Sequence, residues 1–328
     1  MAETQWVSVH IHYHDPLDAV VTGAVRPLVA ELGGGLDGHF FVRHWQAGPH
    51  LRLRLRPRSP GDADKVVELL DRRVGEFLRD RPSRATVTEQ DYREVADPLV
   101  GIERGQHEAE PLQPNNTVRH VPYEPEYARY GGTPEAMGVV ERHFAESSEL
   151  VADLLAQGPT GDQRTGQALA MMLVCAMTAA GGSDGLADYL GTGHRDWGRR
   201  LVFGDPDAAE THFEAKYQRQ RPRLLGVVEG LVRAVESGAT ERAGAAVARW
   251  AGATTTLRDD LRLLREGGRF AVQEVLMPPQ RHREAELASV LLFCSHMHNN
   301  RLGVTLPEES YLMYLLWRAV SEITGSAS

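Results

Sequence analysis

The sequence is poor in lysine, cysteine and long apolar runs. Of its 36 basic residues only Lys65 and Lys216 are lysines, and Cys175 and Cys294 are the 2 cysteines, each within an apolar stretch. Two such thiols in 328 residues favour a reducing compartment and no disulfide framework. No apolar run reaches the roughly 18 residues that span a bilayer, and the start "MAETQWVSVH" lacks the basic and apolar regions of a signal peptide. We therefore expect a cytoplasmic protein with no membrane partner.

Motifs that bind nucleotides or metals are also missing. The chain contains no GxGxxG, P-loop, GxSxG or HExxH sequence. The net charge is -9 and the pI about 5.9, which argues against a generally basic surface for nucleic acid. We expect no cofactor and no direct nucleic-acid partner. The 42% of hydrophobic residues is enough for a globular core.

The first 95 residues or so show the alternation of strands mixed with helical spacing. The pattern predicts, in order, a strand over 5–15, a helix over 15–32, strands over 38–45 and 50–57 joined by "QAGP", an amphipathic helix over 62–80 and a fourth strand over 85–92. This β-α-β-β-α-β order predicts an α+β fold with one sheet and two helices.

The rest of the chain reads as a loop followed by helices. Pro and "PNN" interrupt residues 95–122, and helical patterns begin at Thr133. Further helices are predicted over 164–180, 184–190, 208–236, 239–266, 282–300 and 307–323. We therefore predict one unit, 1–328, with an α+β part (1–95), an inserted loop (96–122) and a mainly helical part (123–328).

Arginine occupies every second position of "HLRLRLRP", residues 50–57. In a strand, Leu51, Leu53 and Leu55 would face one way and Arg52, Arg54 and Arg56 the other. Adjacent guanidinium groups repel each other, so anions could lie over this row, bound in the bidentate way typical of arginine. An exposed sheet face with arginines paired to Asp and Glu explains the same pattern.

Charged residues also cluster in "YEPEYARYGG", residues 123–132. Glu124, Glu126 and Arg129 precede two glycines and a predicted helix N-terminus. A helix N-terminus favours anions because of its free N–H groups and its dipole. A loop with a local ion pair is the alternative.

A third polar group, "FCSHMHNNRLGV", ends the helix predicted over 282–300. A histidine here could act as a general acid or base, because its pKa lies near neutrality. His296 and His298 would point about 200° apart on a helix, so only one should face a site. A polar C-cap formed by Asn and Gly is the alternative.

Three histidines alternate along the first predicted strand, at His10, His12 and His14. A His-x-His pair on a strand can bind zinc. No Cys or acidic companion stands at ligand spacing, so we expect a polar, partly exposed strand face and no metal.

Taken together, these stretches resemble one family. "WVSVHIHYHD", "FFVRHWQAGPHLRLRL", "YEPEYARYGG" and "HMHNNRLGV" occur in this order across nearly the whole chain. The ordered set resembles the C-terminal, glutamate-eliminating domain of lantibiotic dehydratases, in the stand-alone form found in thiopeptide biosynthesis.

The resemblance implies an activity on ribosomally made precursor peptides. In the family, a partner enzyme uses glutamyl-tRNA to glutamylate Ser or Thr, and this domain eliminates glutamate to leave dehydroalanine or dehydrobutyrine. The family's catalytic residues fall on Arg52, Arg54, Arg129 and His296. Residues in and beside the same motifs are candidates for substrate binding: His50, Arg43, Tyr130, Asn300 and Arg301.

Two other functions fit the resemblance. Pyridine synthases of thiopeptide pathways share the scaffold, join two dehydroalanines in a formal [4+2] cycloaddition and release the leader peptide; the long 95–122 segment favours that activity. A non-catalytic scaffold that binds the leader by strand addition is the other alternative. The expected partners are a precursor peptide with its leader and a glutamylating enzyme, and the assembly could be a homodimer.

Overall fold

The computed structural model describes residues 6–100, 108–280 and 282–325. It has an α+β fold with one small antiparallel sheet near the N-terminus and many helices, so the predicted fold class is confirmed. The chain forms two compact units. One contains the residues up to Pro125 together with Val151–Gly158, and the other contains Glu126–Leu150 and the chain from Pro159 onward.

The first unit is built around an antiparallel sheet with strand order β2-β3-β1-β4. The strands are β1 Val7–His12, β2 Leu36–His44, β3 His50–Pro57 and β4 Thr117–His120. The predicted hairpin is confirmed, since β2 pairs with β3. Strand β1 lies between β3 and β4, with Val9 opposite both Leu53 and His120.

The two faces of the sheet differ as the alternation in β3 predicts. Leu51, Leu53 and Leu55 are fully buried in the apolar core. The helix Ala63–Asp80 packs on β1 and β3 and buries its own apolar stripe, which includes Val66 and Leu70. The arginines of β3 therefore project from the opposite face.

The predicted strand over 85–92 is wrong. Residues 82–88 have no regular structure, and a helix begins at Glu89. Thr88 and Asp91 cap this helix reciprocally: the Thr88 N–H donates to Asp91 Oδ2 at 2.9 Å, and the Asp91 N–H donates to Thr88 Oγ1 at 3.1 Å. The fourth strand is β4, inside the predicted 96–122 loop, of which residues 101–107 lie outside the described residues.

Helices make up most of the described chain. They are α1 Asp18–Val20, α2 Arg26–Leu32, α3 Ala63–Asp80, α4 Glu89–Val100, α5 Pro134–Ala156, α6 Gly161–Ala180, α7 Leu186–Asp196, α8 Pro206–Glu236, α9 Ala245–Glu266, α10 Ala285–Leu302 and α11 Leu306–Ile323. A π-helical turn, Val21–Val25, joins α1 to α2. The helices predicted after Thr133 are confirmed, with ends that differ by up to six residues. None of the described helices is long and apolar enough to cross a membrane.

The second unit has its core around α6 and α10. Every residue of α6 from Ala168 to Thr178 is buried, as expected of a helix that is apolar on all sides. Cys175 lies in this core and its thiol donates to the Leu291 carbonyl of α10 at 3.3 Å. Burial raises the pKa of Cys175 to about 12, so this thiol is unreactive at neutral pH.

Candidate active site

The polar face of the sheet collects histidines and arginines from several strands. In the register, His10 of β1 lies opposite Arg52 of β3, and His12 lies opposite His50. His44 of β2 lies opposite His50 on the other side. Directly opposite residues point to the same face, so these side chains form one cluster, which we call the imidazole–arginine face.

His50 is the centre of the imidazole–arginine face. Its ring centroid lies 4.8 Å from that of His10, 4.7 Å from that of His12 and 5.4 Å from that of His44. The Nδ1 atom of His50 lies 2.9 Å from the Gly48 carbonyl oxygen, and its Nε2 accepts a hydrogen bond from Arg52 Nε at 3.2 Å. Since a carbonyl only accepts, the neutral ring carries its proton on Nδ1.

The histidines of this face are neutral at pH 7. Burial, reinforced by the charge of Arg52, lowers the pKa of His10 to about 3 and that of His50 to about 2. Burial followed by the charge of Arg119 lowers the pKa of His12 to about 4. The positive charge of the face therefore resides on its guanidinium groups. His12 is fully buried, so the prediction of a partly exposed strand face is wrong at this position.

The three arginines of β3 have different surroundings. Arg56 forms a 2.9 Å salt bridge with Asp37 and lies over the ring of Trp6, at 5.2 Å from the centroid. Arg54 is 7% exposed and lies over the ring of Tyr123, at 5.6 Å. Arg56 therefore matches the structural explanation of the arginine row, whereas Arg54 is itself buried and lies over a partly buried tyrosine ring.

Arg43 is not part of the imidazole–arginine face. It lies opposite Leu51 in the register and so shares the apolar face of the sheet. There it forms a 2.5 Å salt bridge with Asp18. Among the described residues, no group of three or more His, Cys, Asp or Glu is arranged to hold a metal ion.

In the second unit, Arg129 lies in a loop that is attached to the segment 270–274. The Gln273 N–H donates to the Ala128 carbonyl at 2.9 Å, and Arg129 forms salt bridges with Glu126 at 3.1 Å and Glu274 at 3.3 Å. Burial opposes the charged form, but Tyr130, Glu126 and Glu274 outweigh it and raise the pKa of Arg129. The predicted local ion pair is present, and the guanidinium stays charged.

His296 lies on α10 and pairs with a carboxylate that the sequence did not reveal. Its Nδ1 lies 3.1 and 2.9 Å from the two carboxylate oxygens of Glu309 on α11. The indole N–H of Trp197 donates to Glu309 Oε1 at 3.4 Å, and the Trp197 ring meets the His296 ring edge-on at 5.1 Å. The His296 side chain remains 16% exposed, whereas that of Glu309 is 3% exposed.

Arg129 and His296 are linked through Phe293, one turn earlier on α10. The Arg129 guanidinium lies 4.9 Å from the centroid of the Phe293 ring. Phe293 in turn contacts Trp197, with ring centroids 5.8 Å apart. The second unit therefore places the Arg129 guanidinium against Phe293 and the partly exposed His296 imidazole against Trp197. The two aromatic rings contact each other.

The choice between His296 and His298 has a geometric answer. His298 is 1% exposed, its Nδ1 lies 2.9 Å from Ser147 Oγ, and its ring lies 4.1 Å from that of Trp250. Burial lowers its pKa well below the usual value. His298 is thus a core residue, and His296 is the histidine of this pair that a substrate could reach.

Other residues of the same motifs contribute to packing. Arg301 is fully buried over the Phe144 ring, at 4.5 Å, and Tyr130 packs edge-on against Phe144. The Asn300 carbonyl accepts the N–H of Gly303, whose φ of +84° ends α10 in the left-handed region. The predicted polar C-cap is therefore present alongside His296.

Three solved structures share this fold. "Pyridine synthase, TbtD, from thiomuracin biosynthesis" aligns over 98% of this chain and 100% of its own, with a TM-score of 0.81 and 20% identity. The structure titled "Crystal structure of TsrL" aligns over 98% of this chain and 95% of its own, with a TM-score of 0.69 and 21% identity. The tRNA-dependent lantibiotic dehydratase MibB from Microbispora sp. 107891 aligns over 99% of this chain but 29% of its own, with a TM-score of 0.62 and 19% identity.

Sequence comparison gives a family. No curated protein sequence matches the chain significantly. The profile of the family described as "Lantibiotic biosynthesis dehydratase C-term" matches residues 6–320, almost the entire length. The chain therefore belongs to the lantibiotic biosynthesis dehydratase C-terminal family.

Proposed function

We propose that this protein eliminates glutamate from glutamylated Ser or Thr side chains of a ribosomally made precursor peptide. The observation that carries the proposal is the imidazole–arginine face, where the neutral rings of the partly buried His10 and the buried His50 lie beside Arg52, and Arg54 follows on the same face of β3. Such a face attracts anions, and its neutral rings add no competing charge. Glutamate is a suitable anion, because it leaves as a carboxylate and carries a second one.

The reaction is a β-elimination. A base removes the α-proton of the modified residue, the Cα–Cβ double bond forms, and the Cβ–O bond breaks with its electron pair passing to the leaving carboxylate. His296 is the proposed group that moves the proton, since it is a partly exposed imidazole with Nδ1 already engaged. No cofactor is needed for this step.

The arginines supply the electrostatic part. Arg52 and Arg54 would bind the carboxylates of the glutamyl group through charge-assisted hydrogen bonds. Arg129 stays protonated beside its acidic neighbours and would stabilise the negative charge that develops when the α-proton leaves. A glutamylating enzyme must supply the substrate, so the proposed partners are that enzyme and the leader-bearing precursor.

Mass spectrometry of the purified protein with a leader-bearing, glutamylated peptide tests the proposal. We expect loss of the mass of glutamic acid and a new dehydroalanine or dehydrobutyrine. The Arg52→Gln and His296→Gln variants should slow this conversion strongly. An unchanged glutamylated peptide with wild-type protein would reject elimination.

The alternative of a leader-binding scaffold is tested in the whole pathway. If these variants retain the wild-type amount of final product, while a change at a sheet edge abolishes it, a leader-binding scaffold becomes the better explanation.

The second candidate function is pyridine synthesis by a formal [4+2] cycloaddition of two dehydroalanines. The observation that favours it is the alignment over the full length of the pyridine synthase TbtD, with a TM-score of 0.81. The same assay separates the two candidates when a second tube holds a peptide already carrying two dehydroalanines. Release of the leader with a new aromatic ring in that tube would favour the synthase.

A further inference from the structure

We propose that Glu309 is a positioning residue that fixes the tautomer and the ring orientation of His296. This inference rests on the proposed function of His296 as the group that moves the proton. Glu309 stands 13 residues after His296 on a different helix, and the two side chains meet where α10 and α11 pack together.

The contact has one chemical interpretation when the carboxylate is ionised. Both Glu309 oxygens lie within 3.1 Å of His296 Nδ1, and an ionised carboxylate only accepts hydrogen bonds. Nδ1 must therefore carry a proton in the neutral ring. The lone pair is then on Nε2, the nitrogen on the far side of the ring from Glu309.

The surroundings of Glu309 suit a buried carboxylate. Thr305 and Glu308 form a capping box at the start of α11, and Glu309 follows in the first turn, where the helix dipole favours negative charge. The Trp197 indole donates a further hydrogen bond to Oε1. Glu309 is 2% exposed, so water does not compete for its oxygens.

Trp197 also restricts the imidazole directly. Its ring meets that of His296 edge-on at 5.1 Å, while its N–H holds the carboxylate that holds Nδ1. The three side chains thus close a small cycle of contacts. A flip of the imidazole would replace the Nδ1–H with a carbon at the carboxylate, so the buried carboxylate would keep the Trp197 hydrogen bond but lose the one from His296.

The test compares Glu309→Gln, Glu309→Met and Glu309→Asp with the control Glu308→Gln. Glu308 is the neighbouring, exposed carboxylate, and glutamine can keep its place in the capping box. We expect kcat to fall roughly 10- to 100-fold in Glu309→Gln and Glu309→Met with little change in KM, because positioning groups of this kind act on the reacting geometry. Glu309→Asp should restore part of kcat, and Glu308→Gln should behave as wild type.

Nitrogen-15 NMR of the free protein reads the tautomer without any substrate. We expect the His296 signals, assigned by their loss in His296→Gln, to show a protonated Nδ1 and an acceptor Nε2 in the neutral ring. A proton on Nε2 in wild type, or full kcat in Glu309→Gln, would overturn the inference. If the wild-type protein converts neither the glutamylated peptide nor the peptide with two dehydroalanines, the proposed function fails. The spectrum still shows whether Glu309 fixes the tautomer of His296. If Glu309→Gln does not fold, the wild-type spectrum and Glu309→Asp carry the test.

Discussion

Arg52 donates a hydrogen bond from Nε to Nε2 of His50, 3.2 Å away and two residues earlier on the same strand. The bond requires a neutral imidazole with its proton on Nδ1, and the Gly48 carbonyl at 2.9 Å supplies the acceptor for that proton. His50 thereby holds the guanidinium in one orientation. The candidate site in the first unit is thus a preorganised arrangement of uncharged acceptors and charged donors.

The first prediction concerns this bond. Replacing His50 with Phe keeps an aromatic ring beside His10 but removes the acceptor for Arg52 Nε. We expect KM for the glutamylated peptide to rise about tenfold, because the guanidinium then loses a preset orientation. Steady-state kinetics by mass spectrometry measures it. His50→Phe with unchanged kinetics would show that Arg52 needs no support from His50.

The second prediction separates the arginines of β3. Arg52→Gln and Arg54→Gln should each lower kcat/KM roughly a hundredfold or more, the usual loss when a charge-stabilising donor is removed. Arg56→Gln is the matched control, since Arg56 is already paired with Asp37 and packed on Trp6. It should change kcat/KM by less than about threefold. Equal losses at Arg52, Arg54 and Arg56 would contradict the division.

The third prediction concerns stability against pH. The pKa of His12 is about 4 in the folded protein and near 6.5 in an unfolded chain, mainly because of burial. The unfolded state therefore binds the proton more readily, and stability is lost as pH falls from about 6.5 towards 4. The unfolding free energy of the wild type falls between pH 7.5 and pH 5.0, and His12→Leu should make that decrease smaller by on the order of 1–2 kcal/mol.

Urea denaturation at the two pH values measures this change. Both ring nitrogens of His12 are buried without a hydrogen-bond partner within the described parts of the chain, so leucine should be tolerated at pH 7.5. Ser8→Ala, on the same face of β1, removes a buried polar group that does not titrate and should act equally at both pH values. An unaltered pH dependence in His12→Leu would refute the prediction.

The fourth prediction concerns the glycines after Arg129. Gly132 has a φ of +74°, and a Cβ there would lie 2.3 Å from the Ala271 carbonyl oxygen. Gly132→Ala should cost about 2 kcal/mol or more of unfolding free energy, because either the backbone or the 270–274 segment must move. Gly138→Ala in α5, where a Cβ meets nothing within 4 Å, should be neutral or stabilising. Similar denaturation curves for the two variants would contradict this account.

Local patterns predicted the elements that depend on neighbouring residues. The Leu/Arg alternation of β3 follows from a period of two, and its hairpin partner follows from the Gly-Pro turn. The wrong prediction over 85–92 also concerned a local pattern. Val and Thr suggested a strand, but Thr88 and Asp91 form a helix cap. That cap was readable as a Thr-x-x-Asp spacing before a helical pattern.

Long-range contacts were not readable. Strand β4 has four residues after "PNN" and is a strand only because β1 offers it an edge. The pairing of His296 with Glu309 needs two helices to pack in one particular way, and nothing in either local sequence states it. The role of Trp197, the residue directly after α7, depends on the same packing.

The strand order has a consequence for synthesis on the ribosome. Strand β1 is made before the other three strands, yet it occupies an interior position and binds β3 on one side and β4 on the other. More than a hundred residues separate Val9 from its β4 partner His120. While those residues are being made, one edge of β1 in the nascent chain has no partner strand. Translation pauses before His120 should therefore recruit chaperones and increase aggregation, whereas pauses in the helices after Thr133 should not.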